Sequence, residues 1–142
     1  MKNQHITSAA LFLIKKNHKY LLTKRVELDD ESKDRVYHEH WQIPGGGQRF
    51  SETLHEAVHR EAKEELRLNI KIICFVPKIY DAVRKNWHGL LHVFLCEMVN
   101  KNQKIILNHE ASTYAWFTVE EVKNLPTFPE TYDIILQAEK IS

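Results

Sequence analysis

The sequence predicts an α/β fold in which helices cover both faces of a mixed β-sheet. Three observations carry this. Strand-like runs outnumber helical ones along the chain. The principal amphipathic helix follows directly on a glycine triplet. No repeat, low-complexity tract or linker divides the 142 residues, so residues 1–142 are expected to form one domain around one hydrophobic core.

Each element has its own signal. Thr7 to Ile14 is continuously apolar, as in a strand buried on both faces. Lys15 to Lys19 reads as a turn, and Tyr20 to Arg25 as the returning strand of a hairpin. Val26 to His40, with Asp29, Asp30, Glu31, Lys33, Asp34 and Arg35, reads as a long, mobile surface loop. Trp41-Gln42-Ile43 is a short strand stopped by Pro44-Gly45-Gly46-Gly47. A helix follows, with Thr53 and Glu56 spaced for a capping box at its start. Ile70 to Ala82 and Trp87 to Val99 read as two long strands joined near Arg84-Lys85-Asn86. Asn100 to Lys104 is a polar turn, and Tyr114 to Phe117 another strand. Thr118 and Glu121 cap a short helix that must end before Pro126. Thr127 and Glu130 repeat the capping signal ahead of a last helix, whose Ile134, Ile135, Ala138 and Ile141 share one stripe.

Composition narrows the partners. A net charge of +1 lacks the basic excess that binding to a nucleic-acid polymer usually needs. No stretch approaches membrane-spanning length and no signal peptide is visible, so no membrane partner is expected. Cys74 and Cys96 lie inside apolar runs and read as reduced core residues, which fits a cytoplasmic location. A homodimer is compatible with the chain.

The helix after the glycines departs from ordinary patterning. With Leu54 at 0° and steps of about 100°, Val58, Ala62 and Leu66 fall near 40°, 80° and 120°, and Ala57 near 300°. Glu61 falls at about 340° and Glu65 at about 20°, inside that apolar face, with Glu64 near 280° on its edge. Glu56 and Lys63 take the opposite, solvent side. A buried carboxylate without a partner costs several kcal/mol, so something cationic should offset it. Clustered hard oxygens at i, i+3 and i+4 suit Mg²⁺ or Mn²⁺. The same spacing also fits a salt-bridged surface cluster with Arg60 and Arg67. Gly45-Gly46-Gly47, three of the four glycines, would let backbone approach a ligand closely, although a glycine triplet alone is equally a tight turn.

From Gly46 the chain runs five residues to Glu52, seven more, then Arg60-Glu61-Ala62-Lys63-Glu64-Glu65-Leu66-Arg67-Leu68. This resembles the Nudix box, G-x5-E-x7-R-E-U-x-E-E-x-G-U with U aliphatic. Eight of its nine specified positions match; chance agreement is on the order of one in a million per start position. The departure is Arg67, where the pattern has glycine. Leu21 to Arg25, Trp41 to Gly46, and Glu110 followed by Trp116-Phe117 also look like typical Nudix neighbours, so the resemblance covers nearly the whole chain.

The resemblance implies an α/β/α sandwich around a mixed sheet and Mg²⁺- or Mn²⁺-dependent hydrolysis of nucleoside diphosphates linked to another group. It implies that Glu61, Glu64 and Glu65 hold the metal, joined by the Gly46 carbonyl and by Glu110. Arg60 would orient the carboxylates, Glu52 would support them, and Arg25 and Gly45 would contact substrate. Glu61 or Glu110 would take the proton of the attacking water. The plain alternatives are a solvated loop position for Glu110 and a surface strand end for Arg25.

Two rival readings come from other classes. His55-Glu56-Ala57-Val58-His59 matches the zinc-peptidase string H-E-x-x-H, but Glu56 sits on the solvent side of the wheel. A nucleotide-binding module that has lost catalysis would be expected to lack box carboxylates, and all four are present. His38, His40, His88, His92 and His109 read as structural or exposed, although they could line a pocket, and Trp41, Trp87 and Phe128 read as core aromatics, although they could stack on a base. For substrate, the best expectation is a nucleoside or deoxynucleoside triphosphate, with ADP-ribose or another nucleotide-sugar as the alternative. Mutator-type members read the base with an asparagine near the start of the last helix, where this chain has Pro129.

Overall fold

The computed structural model describes residues 4–26, 37–84 and 86–142. The loop expected over Val26 to His40 falls mostly on residues 27–36, outside the described residues, as does Lys85 at the expected strand join.

The continuous apolar run at the N-terminus forms the centre of the sheet. Strand β1 (Ile6–Lys16) turns Ala9 and Leu13 to one face and Ala10, Phe12 and Ile14 to the other, and both faces are buried. It pairs in parallel with β7 (Trp87–Met98), from Ile6 opposite His88 to Ile14 opposite Cys96. It pairs antiparallel with β2 (Lys19–Arg25) through a two-residue turn, Asn17-His18, whose φ angles of 51° and 65° match the twist of a tight hairpin. Strand β2 also pairs with β3 (Trp41–Gln42) and with β8 (Ala111–Phe117). Strands β5 (Ile70–Phe75) and β6 (Tyr80–Arg84) lie antiparallel to β7. With β4 (Gly45–Gly47), which pairs with β1, these strands form an eight-stranded mixed sheet among the described residues.

Helices lie on both faces, as the sequence predicts. Helix α1 (Leu54–Leu66) packs Ala57, Val58, Ala62 and Leu66 against Phe12, Ile14, Phe94 and Cys96. Helices α2 (Val119–Lys123) and α3 (Thr131–Ile141) place Val122, Ile134, Ile135 and Ala138 over Leu13, Leu22, Leu91 and Val93. The expected single core is therefore two cores divided by the sheet, the necessary result of burying both faces of β1 and β7. Cys96 is buried and Cys74 half-buried; both are free thiols, and burial pushes the Cys96 thiol up to about 12.

Four expectations need correction. The glycine triplet is itself a strand, pairing with Ala9 to Leu11 of β1. Ile70 to Ala82 is two strands, because Pro77 cannot donate to the ladder and Lys78 N–H turns back to the Val76 carbonyl at 2.7 Å. Thr127 does not cap the last helix: it bridges to Trp41, and α3 begins after Glu130, whose side chain makes no capping bond. Ile141 is exposed rather than part of the buried stripe of α3. The capping boxes expected at Thr53/Glu56 and Thr118/Glu121 are both formed.

Arg67 closes α1 in the left-handed conformation, φ 58° and ψ 34°. Its N–H reaches Lys63 O at 3.0 Å, the single bond of an αL ending, and the Leu68 N–H reaches Ala62 O at 3.2 Å. The turn normally built with glycine forms here on a residue that carries a Cβ. Arg67→Gly should therefore stabilise the fold by roughly 0.5–1 kcal/mol, the left-handed strain less the extra unfolded-chain entropy of glycine. A rise in thermal midpoint checks this; an unchanged or lower midpoint would show that the arginine compensates through its side chain.

Candidate active site

Helix α1 carries its glutamates inward as the helical wheel predicts. Glu61 and Glu65 lie among the apolar residues, each only 8% exposed. Glu64 stands at the edge with its side chain 46% exposed. Glu56 is exposed and accepts the Thr53 N–H at 2.9 Å as half of the capping box. Within the His55-to-His59 string the structure thus engages Glu56 in the helix cap and packs the His55 ring edge-on to Phe94 at 5.2 Å.

Two carboxylates can pack against the sheet here because β4 has no side chains. A Cβ on Gly46 would fall 2.6 Å from Glu61 Oε1, and one on Gly45, whose φ is +150°, would fall 2.3 Å from the Ala10 carbonyl oxygen. The Gly45 backbone beside Glu65 favours its ionised form, against the larger effects that raise it.

Arg60 ties the remaining carboxylates together. Its Nε and Nη2 fork onto Glu52 at 2.6 and 2.9 Å, and its Nη1 donates to Glu61 at 2.9 Å and to Glu64 at 3.1 Å. Nη2 also donates to the Gly47 carbonyl at 3.0 Å, fixing the guanidinium to the glycine strand. The Arg60 fork, together with the Arg49 N–H, holds the Glu52 carboxyl down to about 2, while its carboxylate partners raise Arg60 further above its ordinary range. Arg49 adds a bond to Glu64 at 3.3 Å.

Glu65 is in the opposite condition. Burial first, then the charges of Glu61 and Glu110 and a hydrogen bond with Glu61, raise its carboxyl well above the ordinary range. Its buried Oε2 has no hydrogen-bond partner. Among the described residues no three His, Cys, Asp or Glu side chains converge as a metal-ligand set, because Glu61 and Glu64 turn to Arg60. An orphaned carboxylate oxygen beside two further carboxylates is nonetheless a donor group that suits a hard divalent cation such as Mg²⁺ or Mn²⁺.

A cavity of about 430 Å³ opens on the other side of β4. Gly45, Gly46, Gly47, Arg25 and Glu110 line one part of it, so the structure brings the predicted Arg25 and Glu110 to the glycine strand. Glu110 is oriented by Asn108, whose side-chain amide donates to it at 3.1 Å. A second part is lined by Arg84, Trp87, Phe128 and Glu130. The pairing of Arg84 with Glu130 carries no local sequence signal: it is an ion pair at 3.0 Å between residues 46 apart in the chain. Of the aromatics read as core, Phe128 is buried, yet Phe128 and Trp87 both border the cavity. Of the histidines read as structural or exposed, His88 bonds Asp81 at 2.8 Å and His92 the Ala9 carbonyl at 3.1 Å.

The NUDIX domain model matches residues 4–138. The chain belongs to the Nudix family. It is 30% identical over 124 residues to the nucleoside triphosphatase NudI of Enterobacter sp. (strain 638), covering 80% of this chain and 82% of that one. Among solved structures, it resembles the MutT protein from Methanosarcina mazei Go1 with TM-score 0.79 and 20% identity, covering 99% and 98% of the two chains. A C. elegans Ap4A hydrolase matches with TM-score 0.75 and 19% identity, covering 95% and 96%. At those identities the two structures speak to the Nudix fold alone. No helix among the described residues is long and apolar enough to cross a membrane.

The Glu65 carboxyl sets a pH dependence for the metal-free protein. Its folded value lies above its ordinary 4.5, so above that pH the folded state binds more protons than the unfolded chain. Its contribution to stability is complete below the ordinary value and is lost as pH rises toward the raised one. In EDTA the thermal midpoint should fall from about pH 5 to about pH 8, and Glu65→Gln should flatten that fall. Mg²⁺ should restore more stability at the upper pH than at the lower, because it favours the ionised carboxylate. Parallel profiles for wild type and Glu65→Gln would refute the assignment.

Proposed function

We propose that this protein is a divalent-cation-dependent nucleotide diphosphate hydrolase whose substrate is a nucleoside or deoxynucleoside triphosphate. The observation that carries this is the orphaned, buried Glu65 carboxylate, beside Glu61 and Glu110 and backed onto a side-chain-free strand that borders a cavity. The likeness to NudI, described as a nucleoside triphosphatase, supports the substrate class.

Glu61, Glu64, Glu65, Glu110 and the Gly46 carbonyl would hold Mg²⁺ or Mn²⁺. A cation bound there offsets the charge of the carboxylates and the diphosphate and polarises the phosphoryl group under attack. Arg60 holds Glu61 and Glu64 in place through its fixed fork, and Glu52, kept ionised by that fork, holds Arg60. Arg25, at the end of β2 and on the cavity wall, contacts a substrate phosphate, and the Gly45–Gly47 backbone lets the diphosphate approach closely. Glu110, which faces the cavity, takes the proton of a water whose oxygen bonds to one phosphorus. The bridging oxygen departs with the other phosphate, so one diphosphate bond breaks and one water is consumed. Glu61 is the other candidate for the base, but its Oε1 is committed to Arg60.

A screen of nucleoside triphosphates, ADP-ribose and nucleotide-sugars with Mg²⁺ and Mn²⁺, read by chromatography of the nucleotide products, tests the reading. Triphosphates should be turned over and the activity should vanish with EDTA. Glu64→Gln and Glu65→Gln should abolish turnover while the protein stays folded, and Glu110→Gln should lower kcat about 100-fold or more. Full activity in either box variant would show that the site is elsewhere.

A further inference from the structure

Both oxygens of Glu64 are taken by arginines, Oε2 by Arg60 at 3.1 Å and Oε1 by Arg49 at 3.3 Å. A hard cation at the carboxylate cluster therefore has to draw Glu64 away from one of them. The two arginines are held very differently. Arg60 spends all five of its N–H groups, on Glu52 twice, on Glu61, on Glu64 and on the Gly47 carbonyl, and its side chain is only 16% exposed. Among the described residues the Arg49 guanidinium makes one long bond, to Glu64, and its side chain is 64% exposed. An exposed pair of that kind holds weakly. The Arg49 backbone, by contrast, is fixed. Its N–H donates to the Glu52 carboxylate at 3.0 Å and its carbonyl accepts the Glu52 N–H at 3.1 Å, closing a tight turn two residues beyond Gly47.

We infer that Arg49 is a latch on Glu64 that yields when the metal site is loaded and then takes the terminal phosphate of a triphosphate. This rests on the nucleotide reading above and names a residue that selects for the third phosphate. A cation on Glu64 offsets the charge that holds Arg49, so the guanidinium comes free while its Cα stays at the rim of the site. Arg60 has no N–H left to offer a substrate. Arg25 meets the diphosphate from the cavity wall, beside the glycine strand. Arg49 stands past the end of that strand, over the carboxylate at the edge of the cluster. A polyphosphate laid along Gly45–Gly47 reaches it with the phosphate farthest from the cavity. A guanidinium can give a phosphate two parallel N–H bonds, a stronger pairing than the one bond it leaves on Glu64. A nucleotide-sugar brings an uncharged group to the same place, which gives the site a means of preferring triphosphates.

Substitution of Arg49 should move two affinities in opposite directions. Mn²⁺ binding to the protein alone is followed by the EPR signal of the free ion at physiological ionic strength. Arg49→Gln should bind Mn²⁺ about two- to fivefold more tightly than wild type, because Glu64 loses a competitor. In a Glu64→Gln background that gain should vanish. Nucleotide binding is then measured by calorimetry at saturating Mg²⁺ with the α,β-methylene analogues of ATP and ADP, which differ by the third phosphate. Arg49→Gln should bind the ATP analogue roughly tenfold more weakly and the ADP analogue as wild type does. Arg49→Lys, which keeps the charge, should recover part of the loss. Unchanged or weaker Mn²⁺ binding in Arg49→Gln, or a gain that persists without Glu64, would overturn the inference. So would equal losses for the two analogues, or no loss for either. Each variant keeps the backbone bonds of the turn, and thermal midpoints matching wild type in EDTA show that it folds. Wild-type protein that binds neither analogue would sink the nucleotide reading and the phosphate role with it, while the Mn²⁺ titration, which needs no substrate, still decides the latch.

Discussion

Burying Glu61 and Glu65 between α1 and the sheet costs several kcal/mol per ion unless a cation or a proton offsets it. Much of the surrounding structure answers that cost. Arg60 meets Glu61 directly and is itself held by Glu52 and by the Gly47 carbonyl, so a single guanidinium links helix, loop and strand. Gly46 leaves room for the Glu61 carboxylate, and the Gly45 backbone favours the ionised form of Glu65. Even so Glu65 keeps one buried oxygen without a partner. Evolution does not ordinarily retain such a group in a core; at a site it is the cost of keeping a ligand position ready.

The helix was legible in the sequence because everything that defines it is local. Carboxylate spacing on a 3.6-residue repeat places Glu61 and Glu65 inward and Glu56 outward whatever the rest of the chain does, and a Thr-x-x-Glu signal fixes the start. The two-faced burial of β1 was equally readable, since a strand with no polar alternation has no face to give to water. The glycine triplet was not. Its glycines read as a turn by propensity, yet β1 offers a free edge that recruits them into the sheet, and no local rule reports that edge.

The Thr127 and Glu130 pair shows the same limit more sharply. Its spacing is that of the two capping boxes that do form, so the local pattern is indistinguishable from theirs. What differs is a competitor. Arg84, brought up by the β6–β7 hairpin, takes the Glu130 carboxylate, and Thr127 is drawn to Trp41. A helix cap contributes about 1 kcal/mol and a charge-assisted bond in a half-buried setting at least as much, so the long-range partner can win. Local rules fail where a side chain has been diverted to another task.

That difference explains why reaction class and substrate are unequally visible in this chain. Diphosphate chemistry needs carboxylates at fixed separations, and a single helix supplies them within a few turns, so its signature is written in one continuous stretch. The far wall of the cavity is assembled from the hairpin at Arg84, the segment at Tyr37 and the approach to α3 at Phe128. None of these is near another in sequence, and each alone looks like ordinary packing. Arg67 belongs to the first kind of feature: it breaks the box pattern visibly, yet the backbone takes the left-handed turn all the same and the carboxylates keep their places. A conspicuous departure in the local motif therefore leaves the candidate catalytic geometry intact, while the Arg84–Glu130 pair, which overrides a readable capping signal, joins residues too far apart in the chain for any local pattern to report.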